Sequence, residues 1–284
     1  MRGKIAQWVW RPLPNALAHA LKKPPMKTLI RTLWPVLFLL LSAAAWAQDA
    51  LVTLPTREGQ SISYWWMPAH GAKTTVLLFS GGNGGIGLRD GRPQSNNFLI
   101  RSGEFFRAQG LNVAMLGNPT DKRQLDDAWR TSAMHSTDVN GVLADLRQRG
   151  SQVLWLVGTS RGTVSVAALG IALQDQLAGL VLTASIGSYN VAATSVPQQA
   201  IDQIRLPVLV YHHKNDACRI TLARDTEWIL RGLKNAPLKK RWIVEGGSNP
   251  EGDPCQALHW HGFIGMEEQA VKDIAGWIAN PQPD

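Results

Sequence analysis

Ser160 stands in Gly158-Thr159-Ser160-Arg161-Gly162, directly after an apolar run at 153–157 and directly before a small-residue stretch at 163–169. Gly-x-Ser-x-Gly alone is a weak pattern, but between a buried strand and a helix it describes a nucleophile elbow. Glycines two residues either side let strand and helix approach closely, which pushes the hydroxyl out above the sheet edge. The N–H of the next residue then aims at the same point. The competing reading is an ordinary strand-to-helix turn with Ser160 as an N-cap. A phosphate-cradling loop is disfavoured, because too few glycines surround this turn.

A serine hydroxyl becomes a useful nucleophile only when a base takes its proton. In a parallel sheet the site lies beyond the carboxyl ends of the strands, so the base and its partner are sought there. Of seven histidines, His261 in His259-Trp260-His261-Gly262-Phe263 follows the last strand and precedes the final helix. His259 competes, but Gly262 behind His261 allows the turn into the helix and favours His261. Asp216, in Tyr211-His212-His213-Lys214-Asn215-Asp216, follows another strand and is the expected acid that orients the imidazole. Asp225 and Asp253 are the alternatives, and a helix-capping role near Thr221 is the plain reading of Asp216.

Attack on a carbonyl also needs donors for the oxyanion that develops. One is expected to be the backbone N–H of Arg161. The other is expected from Ser80-Gly81-Gly82-Asn83-Gly84-Gly85, where glycines let backbone approach a substrate; Gly82 is preferred, with Asn83 close behind. Taken alone this loop could hold a phosphate, but the lysine of a Walker motif is missing. The only two cysteines are Cys218, two residues after Asp216, and Cys255, six before His261. A disulfide between them would staple the acid's loop to the base's loop. Free thiols are the alternative; two ligands make a weak metal site, and no metal is expected.

These residues need a frame that brings distant loops to one edge. Runs at 74–79, 111–116, 153–158, 177–183, 206–212 and 240–245 read as strands. Stretches at 98–109, 132–149, after Gly162, 221–233 and 265–279 read as helices. Segments 51–56 and 61–67 around Glu58-Gly59 read as a hairpin that adds antiparallel edge strands. The alternation implies a mostly parallel central sheet of about eight strands with helices on both faces.

Residues 1–47 read as targeting rather than fold. From Met26 a short basic start leads into an apolar stretch at 33–41, too short to span a bilayer, and then to Ala45-Trp46-Ala47. This is the pattern of a secretory signal peptide over 26–47, cleaved after Ala47, with an uncleaved anchor as the alternative. Residues 1–25 are either an extended leader or a stretch that precedes the true start at Met26. The protein is then exported, periplasmic or secreted, with 48–284 as a single domain and no stable membrane span after cleavage. Seven of the 29 basic residues and none of the 21 acidic ones precede residue 48, which leaves 22 against 21 and a formal charge of +1. The balance of +8 for the whole chain thus comes mostly from the leader, and nucleic-acid binding loses its compositional support. No Pro-rich or Gly/Ser-rich linker divides the rest. Trp155, Trp242 and Trp277 lie in apolar runs and read as core residues.

Residues 48–284 resemble the α/β-hydrolase fold superfamily over nearly their whole length. The resemblance rests on Ser80-Gly81-Gly82 after the first central strand, the elbow at Gly158 to Gly162, Asp216 after a late strand, and His261-Gly262-Phe263 before the terminal helix. Gly110-Leu111-Asn112-Val113 with Asn118-Pro119 is similar to the family's strand after its first helix, and the chain order Ser, Asp, His is the family's. The resemblance implies a serine hydrolase without a cofactor, cleaving an acyl bond of a small-molecule or short acyl substrate through an acyl-serine. A carboxylic ester is the first expectation; a peptidase or amidase on the same triad, and a binding protein that keeps the fold, are the others. Two departures stand out. Arg161 follows the nucleophile where smaller or apolar residues are common, and either adds positive charge near the acyl pocket or points into solvent. Segment 184–205 is short where many relatives insert a helical cap, which implies an open cleft. Arg89, Asp90 and Arg92 would favour anionic substrates if they faced the site; a solvated loop is the plainer reading. Nothing in these patterns sets an oligomeric state.

Overall fold

Strands β1 (Ala50–Pro55), β2 (Ser61–Met67) and β3 (Thr74–Phe79) open the fold, followed by a two-strand ribbon, β4 (Leu88–Arg89) with β5 (Arg92–Pro93). Then come β6 (Asn112–Pro119), β7 (Val153–Thr159), β8 (Gly179–Thr183), β9 (Val208–His213) and β10 (Lys239–Val244). The structure, a computed structural model, describes residues 48–189 and 194–283. The expected signal peptide and the stretch before it lie outside the described residues.

The main sheet has eight strands in the order β1-β2-β6-β3-β7-β8-β9-β10. The hairpin β1-β2 and its pairing with β6 are antiparallel, and every other neighbouring pair is parallel. The central strands are apolar almost throughout because both of their faces are covered, the usual condition of a parallel sheet. Side-chain alternation in β3 shows this: Leu77 and Phe79 enter one core layer, Val76 and Leu78 the other.

Seven α-helices are described: α1 (Phe98–Arg101), α2 (Gly103–Ala108), α3 (Asp127–Arg130), α4 (Ala133–Gln148), α5 (Gly162–Ala172), α6 (Thr226–Gly232) and α7 (Glu267–Ala279). One face of the sheet packs on α4 through Val139, Val142, Leu143 and Leu146, and on α5 through Val166 and Leu169. The other packs on α1, α2 and α7 through Phe98, Phe106, Val271, Ile274 and Trp277. Trp155 and Trp277 are core residues, edge to face at 5.6 Å; Trp242 is half-buried against Tyr211.

Three details differ from the reading of the sequence, and a fourth agrees with it. The helix expected over 98–109 breaks at Ser102, and just past the break a Cβ on Gly103 would lie 2.1 Å from Met115 Cε, so the backbone there packs close against β6. The helix expected from 221 starts at Thr226, since Thr221 is drawn toward Asp216 and 223–225 form a 3-10 turn. The stretch 119–133 contains α3, whose N-terminus is capped by Asp126 Oδ1 accepting from Trp129 N–H at 2.7 Å. Between β8 and β9 the described residues hold two single-turn 3-10 helices, Val196–Gln198 and Ile201–Gln203, and no helical cap. Among the described residues no helix is long and apolar enough to cross a membrane.

Candidate active site

Ser160 and Arg161 form the whole connection between β7 and α5. Ser160 takes a φ of 52°, a left-handed backbone that residues other than glycine rarely adopt, at a cost of order 1–3 kcal/mol. The surroundings over-determine it. Its N–H donates to the Thr183 carbonyl at 3.1 Å, and its own carbonyl accepts from the Thr163 N–H at 2.9 Å and the Thr163 hydroxyl at 2.7 Å. The elbow glycine at 162 is a matter of space, since a Cβ there would lie 2.1 Å from the Phe79 carbonyl oxygen. Gly81, just past β3, presses on the same turn: a Cβ there would lie 2.8 Å from Ser160 Cβ.

Asp216 and His261 meet beyond the carboxyl end of β9, with Asp216 Oδ2 2.9 Å from His261 Nδ1. Asp216 Oδ1 accepts from the Cys218 N–H at 3.0 Å, and Oδ2 from the Thr221 hydroxyl at 3.0 Å. That hydroxyl also lies 3.1 Å from His261 Nδ1. A second imidazole, His212 at the end of β9, sets Nε2 3.3 Å from Asp216 Oδ2 and 2.6 Å from the Thr221 carbonyl. Burial alone would raise the pKa of the Asp216 carboxyl; hydrogen bonds and charge from His212 and His261 outweigh it and hold the group below the usual carboxylate range. Asp216 is therefore ionised at neutral pH, where it can stabilise an imidazolium.

His261 sits on a single 3-10 turn, Trp260–Gly262, which ends at Phe263 in a left-handed conformation (φ 57°). Phe263 is fully buried, 4.7 Å from the Phe98 ring and 5.5 Å from that of Tyr211. An apolar anchor thus fixes the loop that carries the imidazole. The Cys218–Cys255 disulfide ties this loop to the one carrying Asp216.

Ser160 and His261 line one cavity of about 320 Å³. Its walls include Gly81 to Gly84, the side chains Ser95, Asn96, Asn97 and Gln256, and the apolar Phe98 and Ala257. No Ser160–His261 hydrogen bond is formed among the described residues; in free enzymes such contacts are commonly long and tighten with substrate. Gly82 and Asn83 are exposed on the cavity wall.

The competing candidates do not line this cavity. His259 packs edge-on to Trp260 at 5.1 Å, Asp225 accepts from the Ser188 hydroxyl, and Asp253 Oδ1 accepts from the Cys255 N–H at 2.8 Å. The Arg161 guanidinium does not point free into solvent: it pairs with Asp127 at 2.8 Å, beside the cavity-lining Gly82. Arg89, Asp90 and Arg92 are exposed on the β4–β5 ribbon and do not line the cavity. Among the described residues no group of three or more side chains is arranged to hold a metal ion.

Sequence reasoning missed Thr221, His212, Asp127 and Arg130. The paired histidines at the end of an otherwise apolar strand were a usable signal, since β9 is buried along its whole length. Thr221 and Arg130 carried none: Thr221 reads as a helix start although it bonds Asp216 five residues earlier, and Arg130 acts on Gly82, 48 residues away.

No protein-family model and no curated relative matches the chain. Solved structures do match in fold. Esterase Pf2001 of Pyrococcus furiosus superposes with a TM-score of 0.58 at 13% identity, covering 82% of this chain and 92% of that one. XC6422 of Xanthomonas campestris, described as an α/β serine hydrolase without lid, gives 0.51 at 17% identity over 81% of this chain and 92% of that one. A membrane phospholipase A described as a bacterial virulence factor gives 0.54 at 12% identity, covering 90% and 100%. Strand order, helix placement and these likenesses agree: the chain has the α/β-hydrolase fold.

Proposed function

We propose that the protein is a serine hydrolase that cleaves an acyl bond, a carboxylic ester in the first instance, without a cofactor. The observation that carries this reading is that a serine held in left-handed backbone and an imidazole bonded to a buried carboxylate open onto one cavity. In this reading Ser160 Oγ attacks the carbonyl carbon while His261 Nε2 takes its proton. Asp216 keeps the Nδ1 proton of His261 pointed at itself and stabilises the imidazolium. The N–H groups of Arg161 and of Gly82 or Asn83 receive the oxyanion. His261 then protonates the leaving alcohol, and later activates the water that releases the acyl group.

The cavity walls favour a compact, uncharged, polar substrate over a long alkyl chain, since besides Ser160 six amide or hydroxyl residues line it (Asn83, Ser95, Asn96, Asn97, Thr159 and Gln256) against the apolar Phe98 and Ala257. The segment assignments made from the sequence belong to the same proposal. Residues 1–25 are a leader or precede the start, 26–47 a signal peptide and 48–284 the hydrolase domain of an exported protein; the disulfide suits an oxidising compartment.

A fluorophosphonate probe should label the wild type and fail on Ser160→Ala. Hydrolysis of a short acyl ester compared with an aminoacyl amide separates an esterase from an amidase. A folded wild type that neither labels nor turns over would favour the binding-protein reading.

A further inference from the structure

Arg130 is among the largest fully buried side chains, 1% exposed, in a molecule where buried cations are costly unless their donors are used. Its donors are used. Nε donates to the Leu125 carbonyl at 3.2 Å, Nη1 to Ser165 Oγ at 3.1 Å and Nη2 to the Gly82 carbonyl at 3.1 Å. Arg161 reaches the same Gly82 oxygen at 3.4 Å with Nη1, while its Nε and Nη2 hold Asp127 Oδ1 at 3.0 and 2.8 Å. The run Asp126-Asp127-Ala128-Trp129-Arg130 works as one device: Asp126 caps the single turn of α3, Asp127 holds Arg161, and Arg130 lies beneath the loop. Burial, and then repulsion from Arg161, bring the Arg130 pKa down to about 10, so it stays charged at neutral pH.

Gly82 and Asn83 are the two middle residues of a turn closed by the Gly84 N–H donating to the Gly81 carbonyl at 3.1 Å. Gly82 has a φ of +56° and Asn83 is not in the left-handed region, which is the pattern of a type II′ turn. The central peptide of such a turn is the one whose flip changes the turn type. Its C=O and N–H point in opposite directions, because the unit is planar and trans. Gly82 and Asn83 line the cavity, whereas Arg130 and Arg161 do not. A carbonyl held on the guanidinium side therefore turns the Asn83 N–H away from the guanidiniums. A flip would instead bring a carbonyl oxygen toward the place where negative charge develops.

We infer that Arg130 and Arg161 are positioning residues of the oxyanion hole, holding the Gly82 carbonyl so that the turn presents N–H groups, not a carbonyl, to the reacting oxygen. The inference rests on the serine-hydrolase reading. Loss of one oxyanion donor commonly costs about 10²–10³ in kcat, which bounds the effect of losing its support.

The test compares full-length wild type with Arg130→Met, Arg130→Lys, Arg161→Ala and Asp127→Asn, using a short acyl ester. Competent sites are counted by fluorophosphonate titration, so that kcat is expressed per reactive serine. Expected are a kcat lower by about tenfold in Arg161→Ala and by up to about 10²-fold in Arg130→Met, with KM within about twofold. Affinity for a trifluoromethyl ketone, whose adduct places an oxyanion in the same hole, should fall by the same factor as kcat/KM. Arg130→Lys should restore part of both. Variants with lowered melting temperature but unchanged titrated kcat and inhibitor affinity would overturn the inference and leave Arg130 a structural residue. Should Arg130→Met not fold, Arg161→Ala and Asp127→Asn, at a partly exposed pair, decide by the same two readouts. A wild type that neither labels nor hydrolyses overturns both readings, whereas an active wild type with unaltered variants overturns this one alone.

Discussion

Replacing His135 with leucine should make the fold less sensitive to acid. His135 lies in the first turn of α4, 1% exposed, edge-on to Phe79 at 6.2 Å, and neither ring nitrogen has a hydrogen-bond partner among the described residues. Burial, with a smaller push from Arg130, lowers its pKa from 6.5 to about 3. The folded protein therefore keeps this ring neutral where the unfolded chain takes up a proton. Stability from this site is complete above pH 6.5 and is lost as pH falls toward 3, at about 1.4 kcal/mol per pH unit for one proton. Between pH 7 and pH 5 the loss is about 2 kcal/mol by the same linkage. Leucine is close in volume and has no proton to gain. The stability of His135→Leu relative to wild type should thus rise by about 2 kcal/mol from pH 7 to pH 5. Urea unfolding followed by tryptophan fluorescence at both pH values measures this directly. His213, whose pKa burial also lowers, is present in both proteins and cancels in the comparison. An equal difference between the two proteins at pH 7 and pH 5 would refute the argument.

Thr221→Val removes a hydroxyl that donates to Asp216 at 3.0 Å, a bond to a charged group worth about 1.5–3 kcal/mol, and should lower kcat roughly tenfold with little change in KM. The pH dependence of kcat/KM on an ester substrate gives the check, because a looser Asp216–His261 pair shifts its acid limb. Cys218→Ser with Cys255→Ser should cost about 4 kcal/mol in the loop-closure model for a separation of 37 residues, visible as a lower melting temperature that reductant does not change further. Gly81→Ala sets a methyl 2.8 Å from Ser160 Cβ, and the strain should slow fluorophosphonate labelling by tenfold or more, about 1.4 kcal/mol of barrier.

Much of the frame was legible because its signals are local. The elbow joins a strand and a helix within a few residues, and β3, β7 and β9 declare themselves as continuous apolar runs. The rule that sites lie past strand ends, with Gly262 to separate His261 from His259, led to Asp216 and His261 as candidates; their side chains sit 2.9 Å apart although 45 residues separate them in the chain. What escaped was set by contacts that no local pattern encodes. Arg130 reads as part of an ordinary charged run until it is seen beneath a loop 48 residues away. The need for glycine at 103 appears only when Met115 of β6 is seen packed against it. Thr221 looks like a helix start, and its bond to Asp216 is visible only in the folded turn after β9.

The bond between Cys218 and Cys255 has a consequence for how the acid and base loops are held together. Cys218 supplies an N–H to Asp216, and Cys255 lines the cavity that holds Ser160. Neither the acid loop nor the base loop belongs to the sheet; each follows a strand end, and the disulfide adds a covalent tie to the Phe263 anchor and the hydrogen bonds of Asp216. Reducing the disulfide removes that tie and leaves the sheet and the elbow, which contain no cysteine, as they are. On the serine-hydrolase reading proposed above, the oxidised bond would then be one of the things that keep the acid and the base in register with Ser160.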